Sequence, residues 1–167
     1  MTPEQTAAAA TATDTPAQEA RVVPVAPAAS GAARSTPSRV DVSPEAAAFL
    51  VDLTAQHGPL MFHQSGGCCD GSSPMCYPVG FFRVGAVDVH LGDLDVDGLD
   101  PIEVYMSRSQ FEYWKYTHLT IDVVPGRGAG FSVESPEGKR FLIRSRMLDD
   151  DELRAFGLDA AVTRTTT

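Results

Sequence analysis

The first 39 residues contain no Phe, Trp, Tyr or Leu, yet they hold twelve alanines and five of the chain's twelve prolines. Ordering such a stretch costs backbone entropy with almost no large apolar surface to offset it, so a disordered arm is expected over residues 1–39. Whatever core this chain of 167 residues builds must come from residue 40 onward. With 43% hydrophobic and 8% aromatic residues overall, one ordinary core is within reach. The expectation is one globular domain over residues 40–150, then an acidic and finally threonine-rich tail over 151–167.

Charge divides the chain at the same place. Glu4, Asp14 and Glu19 balance Arg21, Arg34 and Arg39, so the net charge of −9 belongs to residues 40–167. An acidic surface repels phosphate backbones and anionic lipid, which argues against nucleic-acid and membrane partners. No run approaches the roughly 20 apolar residues that span a bilayer, and Pro24 and Pro27 interrupt the apolar residues 22–29. With no export signal in view, the expected location is the cytoplasm, where clustered thiols bind metal or do redox chemistry more often than they form disulfides.

Ser43, Pro44 and Glu45 form a helix start: a capping hydroxyl, a residue suited to the first helical position, and a carboxylate at the positive end of the dipole. Ala46, Phe49, Leu50 and Leu53 then recur at helical spacing, and Gly58 and Pro59 supply the stop. Residues 60–64 predict a strand, as do 80–84, 86–91, 102–106 and 119–124. Ser107 and Gln110 suggest a capping box before a short helix bearing Phe111 and Trp114, and residues 131–134 and 140–144 predict a hairpin about Pro136 and Gly138. Two short helices and six or seven strands give an α+β domain with a small mixed or antiparallel sheet.

All three cysteines, Cys68, Cys69 and Cys76, fall in one segment rich in Gly, Ser and Pro that begins at His63. Thiolates and an imidazole are ligands for a metal ion or an iron–sulfur cluster. Gly66, Gly67 and Gly71 permit close backbone approach, and successive N–H groups there would hydrogen-bond a thiolate or an anion and lower the pKa of Cys68. That serves metal binding and thiol redox chemistry equally. Adjacent residues point apart, so Cys68 and Cys69 on one ion would strain the loop, and buried thiols that only pack are the third alternative. His63 is expected on the strand face of Met61 and Ser65, as a ligand or as a core histidine bonded to a carbonyl. Arg127, within a glycine-rich turn, is a candidate for an anionic ligand, although no helix follows it to make a phosphate loop.

Two resemblances rest on these residues. The run from Gly58 through Gly66, Gly67, Cys68, Cys69, Asp70, Gly71 and Cys76 to Pro78, with Ser107, Gln110, Trp114, Asp122, Gly126 and Gly128 after it, resembles a bacterial family called domain of unknown function 779. Genes of that family are often seen beside aldehyde dehydrogenase genes, which implies a helper in aldehyde or alcohol oxidation, with such an enzyme or another protein client as partner. More distantly, Gly66, Gly67, Cys68 and Gly71, followed by Ser107, Tyr113, Ile121, Asp122, Gly128, Gly130 and Phe131, resemble HesB-like A-type iron–sulfur carriers in order. Those carriers finish with a Cys-x-Cys pair, whereas this chain has no cysteine after Cys76. HesB-like architecture is thus implied without the carriers' ligand set.

The resulting expectation is an accessory or carrier protein rather than an enzyme, binding a metal ion or iron–sulfur cluster through Cys68, Cys69 and Cys76, with His63. Its rivals are a thiol-dependent oxidoreductase partner of an aldehyde dehydrogenase, with Cys68 attacking, and an interaction module with structural thiols.

Overall fold

Ser43 starts a helix as its chemistry dictates: its hydroxyl accepts the Ala46 amide at 3.2 Å, and Pro44 opens α1 (Pro44–His57). Gly58 ends it at φ 79°, a left-handed conformation that favours glycine. The structure, a computed structural model, describes residues 38–65, 73–128 and 130–159, all within the unit Arg34–Thr167.

Among the described residues the strands are β1 (Val40–Val42), β2 (Leu60–Gln64), β3 (Met75–Pro78), β4 (Asp88–Leu94), β5 (Ile102–Ser107), β6 (Thr117–Pro125) and β7 (Lys139–Met147). The helices α2 (Arg108–Trp114) and α3 (Asp150–Ala155) complete an α+β fold, the class expected. Two mixed sheets form, one in the order β1-β6-β7 and the other in the order β3-β2-β5-β4. In the first, β1 runs parallel to β6 and β7 antiparallel to it. In the second, β2 is antiparallel to β3 but parallel to β5, and β4 closes antiparallel on β5.

Alternation along β2 sets what each sheet face carries. Phe62 pairs with Cys76 on β3 and Val104 on β5, and these enter the core with Ala46, Phe49, Leu50 and Leu53 of α1. Phe141 of β7 joins the two sheets there, its ring meeting Phe62 edge-on at 4.9 Å and Phe49 at 5.7 Å. Phe62 and Phe141 are fully buried, and each contributes about 3 kcal/mol by leaving water. The opposite face of the second sheet carries Met61, His63, Met75, Tyr77, Glu103 and Tyr105.

Three local expectations are corrected. Residues 80–84 are not a strand: Gly80 takes φ 92°, the Phe81 amide bonds back to Pro78 O at 3.0 Å, and Phe82 turns in onto His63. Residues 131–134 are not a strand either, and β7 pairs with β6 from Thr117↔Met147 to Pro125↔Lys139 instead. Ser107 precedes α2, but its side chain does not cap it; the hydroxyl lies 3.2 Å from Ser109 Oγ. β1 and β3 were not expected, β3 because it starts within the turn-rich cysteine segment.

Candidate functional site

His63 stands near the end of β2, three residues before the first residue of the cysteine segment that the structure leaves undescribed. It is 4% exposed. Its Nε2 lies 3.0 Å from Asp88 Oδ1, and its Nδ1 lies 3.0 Å from Ser65 Oγ. A carboxylate only accepts, so Nε2 carries the proton, and in the neutral ring Nδ1 presents a lone pair to the Ser65 hydroxyl. Asp88 is itself fixed: its Oδ2 accepts the Gly85 amide at 2.7 Å. Phe82 closes the face of the imidazole at 4.2 Å between ring centres and stacks on Tyr77 at 5.1 Å. Among the described residues the imidazole is thus covered by Phe82, oriented by the Asp88 carboxylate at Nε2 and bonded to Ser65 at Nδ1.

Cys76 is placed elsewhere. It pairs with Phe62 and shares its face, so the thiol enters the core while His63, the next residue along β2, points the other way. The structure does not bring Cys76 and His63 together as ligands of one ion. Burial, with the Glu134 carboxylate near it, pushes the Cys76 thiol well above its ordinary pKa. Such a thiol is neither a ready ligand nor a ready nucleophile.

What surrounds Cys76 is a buried polar chain. The Cys76 amide donates to Ser132 Oγ at 2.8 Å, Ser132 donates on to Glu134, and the Val133 amide donates to Cys76 O at 3.1 Å. Residues 132 and 133 therefore cover the outer edge of β3 in place of another strand. Glu134 is 1% exposed, and burial raises its pKa against the Ser132 hydroxyl and the Glu134 and Phe141 amides, which favour the ion. Gly128 leaves the room: a Cβ there would sit 3.0 Å from Glu134 Oε1.

Of the remaining candidates, Cys68, Cys69, Gly66, Gly67 and Gly71 lie outside the described residues. Arg127 is exposed on the connection between β6 and β7. Across the sheet from His63, beyond Tyr105, a bulge between His90 and Gly92 brings His90 and Asp93 to one face, opposite Tyr105 and Glu103. Gly92 is required there, since a Cβ would come within 2.9 Å of Ser38 Oγ. His90 Nε2 lies 2.7 Å from Asp93 Oδ1, and one ligand atom from each of His90, Asp93 and Glu103 falls within 4.8 Å of the others. Burial, then Glu103, raises the pKa of Tyr105 beside them. His90 and Glu103 are exposed, and surface groups of this kind gather without an ion.

A family model described as Domain of unknown function (DUF779) matches residues 49–147. The chain belongs to this family. No curated protein matches it. The DUF779 match runs from within α1 to the end of β7 and takes in His63, Ser65, Cys68, Cys69, Cys76, Asp88 and Glu134, so both the walled imidazole and the buried carboxylate lie in the family's shared segment. No described helix is long and apolar enough to cross a membrane.

Sequence reasoning missed Asp88, Ser132 and Glu134 as partners of the site. Asp88 sits 25 residues from His63, and only the β2–β5–β4 register makes them neighbours. The available signal was Asp88 itself, an acid at the start of an alternating strand.

Proposed function

We propose that the chain is a metal-binding accessory protein of the cytoplasm, holding an ion or iron–sulfur cluster through Cys68 and Cys69 with His63 Nδ1 as the imidazole ligand. One observation carries this reading: Asp88 holds the proton on Nε2 and leaves the Nδ1 lone pair facing Ser65, at the head of the segment bearing both thiols. Metal-ligating histidines characteristically give their other N–H to a carboxylate, which fixes the tautomer and raises ligand basicity. The donor set fits a soft or borderline ion. Cys76 is left out of the ligand set because its thiol belongs to the core. Delivery to a client such as an aldehyde dehydrogenase is part of the proposal and rests on the family resemblance alone, and HesB-like architecture rests on the separate resemblance to A-type carriers.

Elemental analysis and visible absorbance of aerobic and anaerobic preparations test it. About one metal equivalent, or cluster bands, is expected in the wild type, with loss in the Cys68→Ser, Cys69→Ser double variant and retention in Cys76→Ala. A folded wild-type chain that takes up neither zinc nor iron overturns it.

The same imidazole favours a second reading. A base oriented by Asp88 and lying five residues before Cys68 in sequence suits a Cys68 nucleophile with Cys69 resolving, which a fast, acid-shifted thiol in metal-free protein would reveal.

A further inference from the structure

We propose that, in the metal-free chain, Ser65, His63 and Asp88 form a nucleophilic relay that accepts acyl groups on the Ser65 hydroxyl. The signature of an activated nucleophile is a hydroxyl within hydrogen-bond reach of a base that a third group orients. Here Ser65 Oγ lies 3.0 Å from His63 Nδ1, His63 Nε2 lies 3.0 Å from Asp88 Oδ1, and Asp88 is pinned by the Gly85 amide. The base is 4% exposed and covered by Phe82, while Ser65 is half-buried. The order of nitrogens is the reverse of the best-known serine triad, but the roles are the same: one nitrogen faces the nucleophile and the other the carboxylate.

The chemistry closes without an outside reagent. Ser65 Oγ attacks the carbonyl of an ester as its proton passes to His63 Nδ1, and Asp88 stabilises the imidazolium. The same proton then leaves on the departing alkoxide as the C–O bond breaks. Water, giving a proton to Nδ1, hydrolyses the acyl-serine, and that proton returns to Ser65 as the acid is released.

The substrate class follows from the surroundings. The connection between β3 and β4, which supplies Phe82 and Gly85, also exposes Val79, Phe81, Val84 and Val87. An apolar flank on a domain carrying the whole net charge of −9 suits neutral, apolar esters over anionic ones. The relay shares Nδ1 with the proposed metal ligand, so ion and proton are alternatives at one atom, and bound zinc would block acylation.

The full-length, metal-free chain treated with an alkyl fluorophosphonate and with p-nitrophenyl acetate tests the relay, with intact mass and peptide mapping as readouts. One adduct on Ser65 is expected, absent in Ser65→Ala and slowed at least about tenfold in Asp88→Asn, as loss of the orienting acid does in such relays. No Ser65 adduct in the wild type overturns the proposal whatever the variants do. An adduct that forms equally fast in a folded Asp88→Asn variant also overturns it. Metal content, measured separately, decides the metal reading, so either can fail alone.

Discussion

The ring of Phe82 lies 4.2 Å from the His63 imidazole, on a connection that forms no strand of its own. This tilted ring contact holds the imidazole against the sheet as well as covering it. Phe82→Ala is expected to cost about 1–2 kcal/mol in urea unfolding, below the range for a fully buried Phe because the ring is half-buried. A change under a few tenths would mean that His63 is held by its hydrogen bonds alone.

Asp88 fixes the His63 tautomer. Nitrogen-15 NMR of the wild type is expected to show Nε2 protonated and Nδ1 bare, and Asp88→Asn, whose side-chain oxygen accepts more weakly, should populate the other tautomer. If metal binds as proposed, that variant loses about 10–100-fold in affinity. The wild type found with Nδ1 protonated would refute the assignment.

Cys76 is predicted to be chemically silent. Burial and the Glu134 carboxylate raise its pKa, and the thiolate is the reactive form, so iodoacetamide at pH 8 should leave the Cys76 peptide unmodified in native protein and label it in urea. Cys76→Ser places a hydroxyl among the core side chains, at a cost of about 1–3 kcal/mol. Native-state alkylation of Cys76 would contradict its place in the core.

Glu134 gives the fold a pH dependence of unusual sign for a carboxyl. Burial raises its pKa, so folding favours the protonated acid: this contribution is full below the ordinary carboxyl range and is lost as pH rises through the raised value. Glu134→Gln should flatten that decline in urea midpoints measured upward from pH 4. Gly128→Ala, pressing on Glu134 Oε1 at 3.0 Å and Ser135 Cα at 3.1 Å, is expected to cost about 1–3 kcal/mol.

Glu152 acts in the opposite sense. Its carboxylate accepts from Arg146 Nη1 and Nη2 at 2.7 Å each and from the Asp149 amide at 2.9 Å, and the Arg146 hydrogen bonds lead in lowering its carboxyl to about 2. The stabilisation is present above the ordinary carboxyl range and disappears as pH falls toward 2, so Glu152→Gln should shallow the acid limb of a melting-temperature profile.

How much was legible depends on how local the cause was. α1 could be read because Ser43, Pro44 and its four apolar residues act within the helix itself. Alternation along β4 places His90 on a wet face but puts Asp88 there too, which is instead largely buried against His63; alternation also predicts that His90 and Asp93 point apart, and only the bulge reunites them. β3 was hidden because its strand character depends on β2 and on residues 132 and 133. Proximity in sequence also misled: three cysteines within nine positions suggested one ligand set, whereas Phe62 takes Cys76 to one face and His63 takes the other.

The hydroxyl of Ser132 occupies the place where a carbonyl of an incoming strand would receive the Cys76 amide. The sheet therefore ends itself with a side chain, and a second molecule finds no vacant main-chain acceptor or donor at Cys76 to pair with. Polymerisation by strand addition is barred at the flank of β3, so losing the small segment that covers it would be felt first as insolubility.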